Sequence, residues 1–160
     1  MSKVIMICGK VCSGKTTYAR QLQKKRGGVL LSVDEIMNTF FESCVGERRM
    51  EFEERAKKYL YGKSLEILAE GSDVYLDWGF WTVEERAYAK DFYREKGIPV
   101  QLHCILIDDE EWRRRREKRN ALIEAGKIRA FYVDEERAAR FGAMFEAPKE
   151  ADVWVSDEAD

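Results

Sequence analysis

The run Gly9-Lys10-Val11-Cys12-Ser13-Gly14-Lys15-Thr16-Thr17 constrains this chain more than any other stretch. Its spacing is G-x-x-x-x-G-K-[ST]. The apolar segment Lys3 to Cys8 before it reads as a buried strand, and residues 15–26 after it read as a helix stopped by Gly27-Gly28. Strand before and helix after is the setting in which such a loop binds phosphate. Its glycines let the backbone curl so that successive N–H groups face phosphate oxygens, and the helix N-terminus adds a favourable dipole. Residues 9–17 are therefore the expected nucleotide-phosphate site. Lys15 is expected to reach the β- and γ-phosphates, and Thr16 to ligate Mg²⁺.

The remaining segments alternate in the same way. Val29 to Val33 reads as a second strand, with Asp34 placed to cap a short helix from Glu35 to Phe41. A long helical stretch spans about 47–70, with Gly62 inside it, and Gly71 ends it. Val74 to Leu76 is a third strand closing on Asp77. Thr82-Val83-Glu84-Glu85 has the form of a capping box opening a helix to Lys96. Pro99 to Ile107 is a fourth strand, and Asp108 or Asp109 caps a strongly basic helix to Ala125. A last helix, about 134–145, precedes a fifth strand, Asp152 to Val155. Strands alternating with helices imply one α/β domain over residues 1–160, a parallel sheet with helices on both faces.

Composition excludes several classes. Net charge is −2 and charged residues are 36% of the chain, so no overall field recruits nucleic acid or an anionic membrane. The apolar runs are too short to span a bilayer, and MSKVIMICG lacks the apolar core and cleavage site of a signal peptide. The cysteines at 8, 12, 44 and 104 form no Cys-x-x-Cys pair, and the only histidine is His103, which argues against zinc. A reduced cytoplasmic protein is the economical reading. No Asn-Lys-x-Asp guanine-reading motif and no Leu-Ser-Gly-Gly signature occur. A small kinase fits better than a switch or a motor.

A kinase needs more than a phosphate loop. Asp77, at the end of an apolar strand, is the expected carboxylate beside Thr16 on the metal. Asp34, after the second strand, is the candidate general base for an acceptor hydroxyl, a role compatible with helix capping. The run Trp112-Arg113-Arg114-Arg115-Arg116-Glu117-Lys118-Arg119-Asn120 is the candidate cationic lid, about residues 113–133. Within it, Arg115 and Arg119 share a helix face and would neutralise the transferring phosphoryl group. A solvated helix face or a nucleic-acid groove is the alternative for the same charges. Trp78, Phe80 and Trp81, directly after Asp77, would either stack on an acceptor or pack the long helix onto the sheet. Arg86 would bind acceptor or phosphate, or pair with a carboxylate.

Together these residues resemble the zeta-toxin and chloramphenicol-phosphotransferase-like group of P-loop kinases, small ATP-binding proteins of AAA type similar also to polynucleotide 5′-kinases and gluconate kinases. The resemblance rests on Gly9 to Thr17, Val33-Asp34-Glu35, Leu76-Asp77-Trp78-Gly79-Phe80 with Arg86, the run to Arg119-Asn120, and Phe145-Glu146-Ala147-Pro148. It implies a three-layer P-loop NTPase fold with sheet order 2-3-1-4-5 and a helical lid, Asp34 as general base, and Arg115 and Arg119 as lid arginines. It implies an ATP- and Mg²⁺-dependent phosphotransferase with a small-molecule hydroxyl as acceptor. A polynucleotide 5′-hydroxyl kinase and a non-catalytic nucleotide-gated binding protein are the alternatives.

Overall fold

The computed structural model describes residues 1–41 and 46–155; Cys44 lies outside them. The first strand, β1 (Val4–Cys8), is buried along its whole length. Alternate side chains point to opposite faces of a strand, so a strand covered on both faces must be apolar throughout. Ile5 and Ile7 accordingly join Ala19 and Leu22 of α1 (Lys15–Arg26) on one face. Val4, Met6 and Cys8 face a larger core on the other.

That larger core is closed by α2 (Val33–Phe40), α3 (Arg49–Ala69) and α4 (Val83–Arg94), which bring Met37, Leu60, Tyr61, Leu68, Ala89 and Tyr93 onto the sheet. Full burial of one large apolar side chain contributes roughly 1.5–3 kcal/mol. The 21 residues of α3 run unbroken through Gly62, because packing of its apolar face outweighs a glycine's cost of about 1 kcal/mol. A short 3₁₀ turn, Gly46–Arg48, precedes it.

The sheet is completed by β2 (Val29–Ser32), β3 (Val74–Gly79), β4 (Val100–Ile105) and β5 (Val153–Val155). All pairings are parallel and the order is β2-β3-β1-β4-β5, as the resemblance implied. The crossovers place α1 on one face and α3 and α4 on the other. Two further helices, α5 (Asp109–Glu124) and α6 (Glu135–Met144), lie beyond β4. They meet in a small third cluster, Trp112, Val133 and Ala138 with Val11 and Phe141 against it. Among the described residues no helix is long and apolar enough to cross a membrane.

Two local expectations are corrected. Ser32, not Asp34, caps α2: its hydroxyl accepts from the Glu35 amide at 3.2 Å, and Asp34 sits in the first turn. The β3 strand continues past Asp77 to Gly79, with a bulge at Trp78, since Ile7 pairs with Asp77 but Cys8 pairs with Gly79. The capping box at Thr82 and Glu85 is present as read.

Candidate active site

The loop between β1 and α1 is shaped for close approach. A Cβ on Gly9 would stand 2.6 Å from Ser13 Oγ and 3.0 Å from the Ile105 carbonyl, so only glycine fits there. Gly14 has φ +98°, and Cys12 also adopts positive φ (62°). Lys15 begins α1 and folds back so that Nζ donates to the Lys10 carbonyl at 2.7 Å. Burial lowers the Lys15 pKa, opposed by the charges of Asp77 and Asp34. The ammonium has thus given up hydration while the charges of both predicted carboxylates act on it.

Thr16 and Asp77 meet as the sequence suggests: the Thr16 hydroxyl donates to Asp77 Oδ2 at 2.6 Å. Asp77 is 4% exposed. Burial raises its pKa, countered by the Thr16 hydrogen bond and by Lys15. A hydroxyl and a carboxylate are hard oxygen donors of the kind Mg²⁺ takes, with phosphate and water completing the shell. Among the described residues no group of three or more His, Cys, Asp or Glu side chains is placed to hold a metal. Thr16 and Asp77 therefore fit a metal that arrives with the nucleotide, rather than an all-protein cage.

Asp34 is exposed in the first turn of α2, and its charge acts on Lys15, Asp77 and Glu53. At the start of α3, Arg49 pairs with Glu53 at 2.8 Å, and its guanidinium lies 4.5 Å from the Phe131 ring. Burial raises the Glu53 pKa.

One face of α5 lies on the phosphate loop. Trp112 Nε1 donates to the Val11 carbonyl at 2.7 Å, and Arg115 Nη1 to the Ser13 carbonyl at 2.8 Å. Arg119 Nη1 stands 3.5 Å from Cys12 Sγ. Residues 112, 115 and 119 recur at i, i+3 and i+7, which is one helix face. Arg115 also shares Glu111 with Arg114, and those two guanidiniums bring the Glu111 carboxyl down to about 2. The predicted lid, 113–133, therefore divides in two. Its helical part is fastened to the loop, and Asn120 grips the returning segment through both the Val133 carbonyl (2.7 Å) and the Val133 amide (3.1 Å).

The aromatic stretch after Asp77 is placed differently from an acceptor-stacking surface. Phe80 is fully buried and cannot touch a ligand. Trp78 packs edge-on to Tyr61 of α3 and against Phe80. Trp81 donates its indole N–H to the Gly9 carbonyl at 3.1 Å. Arg86, 6% exposed, spends Nη1 on the Phe80 and Trp81 carbonyls. Of the two readings of this stretch, packing holds for Phe80, which turns at φ 48°, and Arg86 bonds backbone carbonyls instead of a carboxylate. Trp112, which the sequence reading includes in the lid run without a role, is the residue that reading missed. Its spacing to Arg115 and Arg119 was the available signal.

A parallel sheet in this order, with a G-x-x-x-x-G-K-T loop joining its central strand to the next helix, defines a P-loop NTPase-type fold. The AAA domain family model (AAA_33) matches residues 4–148, and the chain belongs to that family. No curated protein sequence matches it. Among solved structures, it is similar to the Mycobacterium tuberculosis APS kinase CysC in complex with AMPPNP and APS. That likeness has a TM-score of 0.67 at 20% identity and covers 99% of this chain and 90% of that one. A chain of the Pnkp1/Rnl/Hen1 RNA repair complex superposes with TM-score 0.73 at 17% identity, over 89% of this chain and 43% of that one. An unliganded sugar kinase from Janibacter sp. HTCC2649 does so with TM-score 0.60 at 15% identity, over 97% and 84%. At these identities the likeness is one of fold.

Proposed function

We propose that the protein transfers the γ-phosphoryl group of ATP to a hydroxyl of a small molecule. The observation that carries this reading is the Thr16–Asp77 hydrogen bond beside the loop, together with Asp34 standing exposed in the first turn of α2, both charges acting on Lys15. A switch or a motor has no need of the second carboxylate. In the proposed reaction the acceptor oxygen attacks the γ-phosphorus and the bond to the β–γ bridging oxygen breaks. The hydroxyl proton passes to the Asp34 carboxylate, and ADP leaves. Lys15, Arg115 and Arg119 stabilise the charge spread over the phosphoryl oxygens. Bound Mg²⁺ would be held by Thr16 and Asp77 and would offset the charge of the β- and γ-phosphates.

Charge favours a small uncharged acceptor over a polynucleotide. The cations at the start of α3 are already paired, Arg48 with Glu51 and Arg49 with Glu53, and the chain is net acidic at −2. The kinase folds it superposes on include one for a sugar. Binding of the acceptor is accordingly expected to lack the steep salt dependence of phosphate-backbone contacts.

Asp34→Asn tests the assignment of the base. It is expected to leave ATP binding within about twofold and to lower transfer by roughly 10²–10⁴, the usual worth of a positioned general base. Full transfer by this variant would remove Asp34 from the mechanism.

A further inference from the structure

Three carbonyls of the phosphate loop are held from outside, and two of the three donors are indoles. Trp81 Nε1 donates to Gly9 O, Trp112 Nε1 to Val11 O, and Arg115 Nη1 to Ser13 O. A trans peptide is planar, with its C=O and the N–H of the next residue on opposite sides. Fixing the carbonyls of 9, 11 and 13 therefore fixes the amides of Lys10, Cys12 and Gly14, facing the other way. Those three amides have no hydrogen-bond partner among the described residues.

Both rings are themselves held. Trp81 lies so close over Gly79 that a Cβ there would be 2.5 Å from its Nε1, and it packs on Phe141 at 5.2 Å between centroids. Trp112 is 8% exposed, with Lys10 Nζ 4.4 Å above its ring. They come from unrelated parts of the chain, one after β3 and one on α5.

From this alternation we infer that Trp81 and Trp112 are positioning residues for the phosphate donor. Each indole N–H turns one peptide plane of the loop so that the following amide, Lys10 or Cys12, presents its N–H to phosphate. The inference rests on the reading of residues 9–17 as a phosphate loop. A loop ordered before the ligand arrives loses less freedom on binding it. Because Trp112 shares its helix face with Arg115 and Arg119, the same contact registers those arginines against the donor.

Trp81→Phe and Trp112→Phe keep an aromatic ring and remove the N–H donor together with part of the indole's packed volume. Calorimetric titration with Mg²⁺-ATP, and separately with inorganic tripolyphosphate, is expected to give about 5–20-fold weaker binding for each variant, the worth of one hydrogen bond to a sequestered carbonyl. Melting temperatures are expected to fall by a few degrees from the lost packing, so the titrations are run well below them. Tripolyphosphate has only the loop to bind, so equal weakening for both ligands points to the amides, not the nucleoside pocket. If the parent protein bound neither ligand, the phosphate-loop reading itself would fall. If it bound and both variants bound within twofold, this inference alone would fall.

Indole hydrogen exchange in the unmutated protein covers the case in which a variant does not fold. The Trp81 and Trp112 Nε1 protons are expected to exchange at least about tenfold more slowly than that of Trp154, which is 48% exposed. Equal rates would overturn the proposal.

Discussion

His103, the single histidine, illustrates how one residue's surroundings set a property of the whole. It lies inside β4 at 2% exposure, with Nδ1 2.8 Å from the Tyr18 hydroxyl and Nε2 without a hydrogen-bond partner among the described residues. Burial, with Arg26 adding repulsion, depresses its pKa from 6.5 to about 4. Between those values the unfolded chain binds a proton that the folded chain refuses, so stability rises with pH across that window and falls as the pH drops through it. The slope is roughly 1.4 kcal/mol per pH unit from this group. Urea unfolding midpoints at pH 7 and pH 4.5 should therefore converge in His103→Asn relative to the parent protein. Equal pH dependence in both would contradict the assignment. At Lys15, too, burial lowers the pKa, and there the charges of Asp77 and Asp34 oppose the shift.

At the scale of elements, α5 and the segment behind it form one fastened unit. Trp112 and Arg115 bond to the loop, Arg119 reaches Cys12, and Asn120 clips Val133 by its backbone. Asn120→Ala removes both bonds to Val133, which is fully buried, and is expected to cost about 1–3 kcal/mol. The Val133 amide should then exchange markedly faster in hydrogen-exchange measurements, with β1 amides unaffected. Unchanged Val133 exchange would mean that the clip is redundant.

Elements were mostly legible because burial on both faces leaves a continuous apolar run such as Val4-Ile5-Met6-Ile7-Cys8, and because caps such as Thr82 with Glu85 are local. Ser32-Val33-Asp34-Glu35 carries the same Ser-x-x-Glu form, so the α2 cap was readable too. The fastening of α5 onto the loop was not readable. It depends on pairs about a hundred residues apart, as Trp112 with Val11 is, and nothing in an arginine run says what its face will meet. The split of roles within Trp78 to Trp81 was hidden likewise, because a bulge at 78 and a positive φ at 80 decide which ring faces the core.

At the scale of the molecule, the order β2-β3-β1-β4-β5 gathers the ends of β1, β2 and β3 side by side. That adjacency brings residues 9–16, Asp34 and Asp77 together from three separate stretches. In the proposed function the hydrogen-bonded loop is the donor half, and Asp34 marks the acceptor half. Transfer of labelled γ-phosphate from Mg²⁺-ATP to a panel of sugars, nucleosides, hydroxylated antibiotics and short oligonucleotides measures the central claim most directly. Label appearing on the hydroxyl of an uncharged small acceptor, with one ADP formed per acceptor phosphorylated, is the predicted result. Background hydrolysis alone across the whole panel would contradict it and leave a nucleotide-gated binding protein in its place.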